Sequence, residues 1–280
     1  MRFRFVTAWI LVVISAFVSA RAELRKDIEF ARPGGVPLLL DAWVPGGDGP
    51  FPAVIVVHGG GFTAGDKQIS WVQPLFDPLT RAGFVWFTIN YRLAPQHPFP
   101  AAIDDVESAI GFVKSRAREF KVDPARVALV GESAGGQLVS YVGVRGRGST
   151  RVAGVVSLYG AHDLVTRTRV QGKLSDAVKA FLGISELNEA ATIKMRQASP
   201  ITYVKKGMPP FLLIHGTLDP LVPFDQSAVF CEKLRRSGNR CELMAVDGAG
   251  HGVEGWEKNP EFQKYKAVMV EWLKGVLAAK

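Results

Sequence analysis

Short unbroken apolar runs alternate along this chain with longer stretches whose apolar residues recur every three or four positions, the signatures of buried strands and of amphipathic helices. Val36 to Val44 and Ala53 to Val57 read as strands, separated by the turn-forming Pro45-Gly46-Gly47-Asp48-Gly49-Pro50. A helix through Trp71 to Arg81 precedes a third run, Phe84 to Ile89. From Ala101 to Phe120, Ala102, Val106, Ala109, Ile110 and Val113 fall at helical spacing, which predicts a helix covering one face of a sheet. Arg126 to Val130 is the next strand, Ser133 to Val144 a helix and Val152 to Leu158 another strand. Phe211 to Ile214 and Arg240 to Val246 add two strands around a helix from about Phe224 to Ser237. A last helix, about Glu261 to Ala278, offers Tyr265, Val268, Met269, Trp272 and Leu273 for burial.

Strands that alternate with crossover helices predict the α/β class, with a mainly parallel sheet covered on both faces. Residues 160–200 break the alternation and carry Leu174, Val178, Phe181 and Leu182. They read as one or two short helices laid over the end of the sheet where substrate would enter, because a plain connector would be shorter. Neither an internal repeat nor a low-complexity linker divides the rest, so residues 23–280 are expected to form one catalytic domain with a small cap-like insertion.

The amino terminus has a different character. Met1-Arg2-Phe3-Arg4, the apolar run Val6 to Val18 and the small residues up to Ala22 read as an export signal cut after Ala22, which places the mature protein in the periplasm or outside the cell. An uncleaved anchor is the alternative, against which the run is short, and no later segment reads as a membrane span. Removing residues 1–22 takes away three arginines and no acid, lowering the formal charge from +8 to +5. That modest excess is scattered and is not a nucleic-acid footprint. Arg145-Gly146-Arg147 and Lys205-Lys206 read as solvated loops. In an oxidising compartment Cys231 and Cys241 would bridge a helix to the following strand, with a free buried pair as the alternative. Neither thiol has metal-ligand spacing, and no metal site is expected.

Candidate chemistry centres on Val130-Gly131-Glu132-Ser133-Ala134-Gly135-Gly136, where a strand turns directly into a helix and holds a serine out of it. Serine needs a base, and the base needs a carboxylate to fix its tautomer. His251, in Gly248-Ala249-Gly250-His251-Gly252, follows the last strand, and Asp219 follows Leu212 to Leu218 at the end of another. The chain order Ser133, Asp219, His251 is that of an α/β-hydrolase triad. Donors for a developing oxyanion are assigned to the amides of Gly60 and Gly61, in His58-Gly59-Gly60-Gly61-Phe62, and of Ala134. A phosphate loop is a poor reading of these glycines, since no lysine followed by serine or threonine completes it. Asp163 is the rival to Asp219 and reads better as an anchor of the insertion. Glu132 is read as the partner of a polar loop group, His58 as a loop organiser and His215 as its like, a histidine at a strand end beside a glycine and near the catalytic floor; His97 and His162 are read as loop residues, with substrate contact as the alternative, and are given no catalytic role. Phe62, Trp71 and Trp256 are candidates to line an acyl or sugar subsite, with packing as the alternative.

His58-Gly59-Gly60-Gly61-Phe62, Asn90-Tyr91-Arg92-Leu93-Ala94-Pro95, Gly131 to Gly136 and His215-Gly216-Thr217-Leu218-Asp219 together resemble the hormone-sensitive-lipase-like esterases. Within that group the chain is most similar to the branch of bacterial carboxylesterases, acetylxylan esterases and bifunctional feruloyl/acetylxylan esterases, over about Ile28 to Leu277. The resemblance implies attack on an ester carbonyl by Ser133, base and acid catalysis by His251 and orientation by Asp219; no organic cofactor is expected, since water, the acyl ester and the protein's own groups complete the reaction. It also implies that Arg92 braces Asp104 or Asp105 inside the fold. Glu132 stands where one part of the group has aspartate, and the insertion is short, which favours the small secreted acetyl or feruloyl branch. The expected partner is a small-molecule or polysaccharide-linked ester; a peptidase of the same fold and a catalytically silent binding protein are the alternatives. Oligomeric state is not legible in the sequence.

Overall fold

Backbone hydrogen bonds join eight strands into one sheet across residues 21–279, the part of the chain that the computed structural model describes. The expected export segment, 1–22, lies outside the described residues except for its last two positions. The strands are β1 (Glu23–Ala31), β2 (Leu38–Val44), β3 (Phe51–Val57), β4 (Val85–Ile89), β5 (Val122–Glu132), β6 (Gly154–Leu158), β7 (Phe211–Gly216) and β8 (Cys241–Val246). Their order in the sheet is β1-β2-β4-β3-β5-β6-β7-β8. β1 and β2 run antiparallel to their neighbours, and all other pairs are parallel. The helices are α1 (Phe76–Arg81), α2 (Ala101–Ser115), α3 (Ala134–Arg145), α4 (Leu164–Gln171), α5 (Asp176–Leu182), α6 (Glu189–Ala198), α7 (Asp225–Arg236), α8 (Val253–Trp256) and α9 (Lys264–Val276). No helix among the described residues is long and apolar enough to cross a membrane.

The unbroken apolar runs arise because the central strands are buried on both faces. Ala53, Ile55 and Val57 of β3 and Val127 and Leu129 of β5 point into one core layer, with Val106 and Ile110 of α2 and Leu138 and Val142 of α3. Their alternates, Val54, Val56, Ala128 and Val130, point into the other, against Leu79 of α1 and Tyr265, Met269 and Leu273 of α9. Truncating a fully buried side chain such as Ile55 or Leu129 to alanine is expected to cost about 2–5 kcal/mol. Val268, expected in this stripe, is instead 40% exposed; it lies at the stripe's edge while Tyr265, Met269, Trp272 and Leu273 fill its centre.

Several boundaries differ from expectation for local reasons. The helix expected through Trp71 to Arg81 is a 3-10 turn, Ser70–Leu75, followed by α1, since Pro74 lacks the N–H that a continuous α-helix would use. β2 starts at Leu38, not Val36, because the Val36 amide closes a turn onto the Pro33 carbonyl. Residues 160–200 form three helices, not one or two: α4 and α5 each stop at a left-handed glycine, Gly172 and Gly183, and Asp163, Ser175 and Asn188 cap the starts of α4, α5 and α6. Cys231 on α7 and Cys241 on β8 are joined by a disulfide, with Cα atoms 5.5 Å apart.

Candidate active site

Ser133 sits between β5 and α3 at φ 53° and ψ −117°, a region that costs a residue with a side chain about 1–3 kcal/mol. Its amide is tied to the Leu158 carbonyl of β6 at 2.9 Å. The turn closes this tightly because of two glycines. A Cβ on Gly131 would run into the Gly135 carbonyl, and one on Gly135 into the carbonyls of Val57 and His58, so only glycine lets the first turn of α3 lie against β3.

The other two triad residues arrive from loops that follow β7 and β8. A Cβ on Gly216 would collide with the Ala249 carbonyl, so the two loops can touch only with glycine there. Ser133 Oγ lies 2.8 Å from His251 Nε2, and His251 Nδ1 lies 2.6 Å from Asp219 Oδ2. With Nδ1–H donating to the carboxylate, Nε2 is left bare to accept the serine proton. The Asp219 side chain is fully buried and that of His251 is 15% exposed, so the relay is shielded at the acid and open at the base. Asp219 Oδ1 accepts the amides of Leu221 and Val222, both at 2.8 Å. Burial alone would raise the Asp219 carboxyl; donors from His215, His251 and Val222 outweigh it and hold the group well below the usual carboxylate range.

His215 lies at the floor of the site, as its strand-end position suggests, and it also touches Asp219, which the sequence does not show. It is wholly buried, with Nδ1 2.8 Å from Ser227 Oγ and Nε2 2.9 Å from the Val222 carbonyl and 3.3 Å from Asp219 Oδ2. Two acceptors face Nε2, so that nitrogen carries the proton, and the Ser227 hydroxyl donates to Nδ1. The sequence places His215 at a strand end beside Gly216, but its contact with Asp219 arises only because residues 219–222 fold back over it.

Across the nucleophile lies the loop after β3. Gly60 and Gly61 have φ of 97° and 60°. Tyr91 Oη reaches the carbonyls of His58 and Gly59 at 3.0 and 2.9 Å, and the Gly59 amide donates to the Glu132 carboxylate. The amides of Gly60 and Gly61 find no acceptor among the described residues. The Ala134 amide opens α3, where helix geometry leaves N–H groups free. These are the three groups assigned from the sequence to an oxyanion. Burial pushes Glu132 up to about 7, against the Gly59 amide and the Tyr159 hydroxyl, which favour its charged form. Burial also lowers His58 to about 4; it is a neutral ring stacked on Tyr91 with centroids 4.3 Å apart, not a base.

The insertion reaches over this loop. Phe181 of α5 stacks on Phe62 with centroids 3.9 Å apart and accepts the Phe99 amide through its carbonyl at 2.6 Å, while Ala177 lies beside Gly61. Trp71 is half-buried on the 3-10 turn that packs against α8. Trp256 lines no mouth: it is 2% exposed, packs edge-on to Tyr159 and Tyr265, and donates its indole N–H to the Gly250 carbonyl at 2.9 Å, bracing the His251 loop from below. His162 is likewise enclosed, stacked on Phe230 and held by Gln226. Asp163 caps α4 by accepting the amides of Val165 and Thr166, and Arg92 pairs with buried Asp105 at 2.7 Å.

A serine hydroxyl, an imidazole of fixed tautomer, a buried carboxylate and a loop with free amides are the parts of a nucleophilic acyl-transfer site. Comparison with known proteins gives the same direction. Over residues 40–234 the chain matches the family model described as BD-FAE. It is 32% identical over 233 residues to the esterase LipC of Mycobacterium tuberculosis, covering 77% of this chain and 57% of that protein. A thermophilic esterase of Thermogutta terrifontis, Est2, superposes with a TM-score of 0.75 at 25% identity, over 92% of this chain and 94% of that one, and has been solved with propionate and with butyrate bound. A bifunctional GH43-CE protein of Bacteroides eggerthii superposes at 0.77 with 28% identity, over 91% of this chain and 38% of the other. The chain spans about half the length of the curated relatives it matches. With over half its length covered by one family model and an α/β-hydrolase sheet carrying the site, the chain belongs to the BD-FAE family.

Proposed function

We propose that this protein is a serine-dependent carboxylic ester hydrolase that acts on short acyl esters, with acetyl or feruloyl decorations of plant polysaccharide as its substrate class. The observation that carries the reading is the continuous relay from Ser133 Oγ through His251 to Asp219, at 2.8 and 2.6 Å. Ser133 attacks the ester carbonyl while His251 takes its proton; the oxyanion is received by the amides of Gly60, Gly61 and Ala134. His251 returns the proton to the departing alcohol, and water activated by the same ring then releases the acid from acyl-Ser133. Short acyl groups are favoured by the Phe62–Phe181 stack beside the oxyanion loop and by the propionate and butyrate complexes of the Thermogutta terrifontis esterase. Export to the periplasm or beyond is part of the proposal, supported by the amino-terminal pattern and by the Cys231–Cys241 disulfide, which suits an oxidising compartment.

The test is Ser133→Ala in the folded protein, assayed on p-nitrophenyl acetate, methyl ferulate and acetylated xylan. Loss of about 10⁴-fold or more in kcat on the accepted esters is the expected result. Undiminished hydrolysis by the variant would overturn the ester hydrolase reading. Faster cleavage of blocked peptide amides than of any ester would overturn the substrate class.

A further inference from the structure

The two basic runs that read as separate solvated loops meet in space. Arg145 and Arg147, at the end of α3, and Lys205, in the approach to β7, line one cavity of about 440 Å³ together with Tyr203, Thr150 and Glu107. That volume lies in the range of small-ligand sites. The cavity is at the amino edge of the parallel strands, a full helix away from the triad: α3 begins beside Ser133 and reaches Arg145 after about 17 Å. No ion pair among the described residues involves Arg145, Arg147 or Lys205. The Arg145 guanidinium is nevertheless held in place, 4.4 Å from the Tyr203 ring centroid and 5.4 Å from that of Tyr141. The Arg145 guanidinium, steadied by two aromatic rings, shares the cavity with Arg147 and Lys205 and with a single acid, Glu107, so positive charge is left in excess for an anion from outside.

We propose that this cavity is a second binding site, for a carboxylated sugar unit of the hexuronate class. The guanidinium of Arg145 offers a planar fork that matches a carboxylate, and Arg147 and Lys205 add charge at the rim. Glu107, half-buried on the wall contributed by α2, accepts hydrogen bonds from ring hydroxyls and opposes entry of a dianion such as phosphate. Three cations and one acid around a single cavity suit a hydroxylated monoanion better than a phosphate chain, which would need a longer basic track. Occupancy here is independent of ester cleavage at Ser133, since a ligand of this size cannot touch both edges of the sheet. A polymer carrying acidic sugars could be held at one edge while another part of it reaches the other.

The test is an NMR titration of the folded, ¹⁵N-labelled protein at low salt with three probes: methyl glucuronoside, methyl glucoside and inorganic phosphate. The glucuronoside is expected to shift the amides of Gly146 and Thr150 saturably, the neutral glucoside to leave them unmoved, and phosphate to bind at least about tenfold more weakly. Arg145→Met should weaken glucuronoside binding by about tenfold or more, and Arg145→Lys, which keeps the charge and loses the fork, should fall between. Hydrolysis of p-nitrophenyl acetate by Arg145→Met should match the parent, which verifies its fold. Binding of the neutral glucoside as tight as the acid, phosphate as tight as the glucuronoside, no saturable shift, or parental binding by Arg145→Met would each overturn the proposal.

Discussion

Two buried carboxylates flank the reacting serine hydroxyl, and the fold treats them in opposite ways. Asp219, on the loop after β7, is surrounded by donors: the amides of Leu221 and Val222 on one oxygen, His251 and His215 on the other. It stays charged although its side chain is fully buried. Glu132, one residue before the nucleophile, has the Gly59 amide and a contact with the Tyr159 hydroxyl, and burial carries it up to about 7. Burial is common to both; the number of donors decides which acid remains an anion. The permanent anion holds the base, whereas the acid that can take up a proton near neutrality holds the oxyanion loop.

The largest way to break this contrast is to remove the charge from the first acid. Asp219→Asn keeps the size of the side chain but can present an N–H to His251 Nδ1, forcing the ring into the wrong tautomer. In the proposed esterase it should lower kcat by about 10⁴-fold, the scale on which tautomer errors act in such relays. The measurement is p-nitrophenyl acetate hydrolysis by protein with a parental melting curve; a loss below tenfold would mean that the Asp219–His251 contact does not set the chemistry.

The second acid should respond on a smaller scale and with a pH signature. Glu132→Gln retains an oxygen for the Gly59 amide, whereas Glu132→Ala leaves that amide without an acceptor and frees the loop that carries Gly60 and Gly61. Alanine is expected to lower kcat by about 10²-fold, as losing an oxyanion donor does, and glutamine by much less. Stability supplies the sign. The Glu132 carboxyl rises from 4.5 to about 7 on folding, so the fold prefers its protonated form. The stabilisation from that preference is complete below pH 4.5 and is lost as pH rises through about 7. Glutamine cannot ionise, so the melting temperature of Glu132→Gln relative to the parent should climb between pH 5 and 8; a difference that stays flat would remove Glu132 from the titrating groups.

The contrast between these acids also marks where sequence reading stops. Ser133 and Asp219 follow β5 and β7, whose residues next to the site are buried on both faces and leave an unbroken apolar run, whereas His251 follows β8, an edge strand with only Cys241 and Val246 buried, and stands out instead by its glycine-rich turn, Gly248 to Gly252. β1 left no such trace. It lies at the sheet's edge with only Phe30 buried, and its pairing with β2 shifts register twice, which destroys the alternation a strand would show. Trp256 reads as a candidate for an acyl or sugar subsite with packing as the alternative, and packing is what the fold gives it: α8 turns the ring inward, and a single turn of helix is too short to show a periodicity that would reveal this. The donors around the two acids were legible to different degrees: the Gly59 amide is the polar loop group expected for Glu132, His215, four residues before Asp219, reads as near the site but not as a donor to the acid, and Tyr159 reaches Glu132 through a tertiary contact that no spacing encodes.

Among these donors His215 offers the finest test, because it touches the relay only through Asp219. With Nε2–H shared between the Val222 carbonyl at 2.9 Å and Asp219 Oδ2 at 3.3 Å, it both closes the acid's loop and contributes a weak donor to the carboxylate. Glutamine can place an N–H near the same point, whereas leucine fills the space without one. His215→Leu should lower kcat by about tenfold with little change in KM, the loss expected from one weakened charge-assisted hydrogen bond, and His215→Gln should restore most of it. Packing damage alone would not touch the pH profile. Removing a donor from Asp219 concentrates its charge on the remaining partner, so the acid limb of kcat/KM, which reports protonation of the catalytic base, should move to higher pH in His215→Leu and return in His215→Gln. If both variants lose activity equally and the limb stays in place, His215 serves only to fill the space beneath the loop, and the donors that hold Asp219 charged reduce to His251 and the two backbone amides.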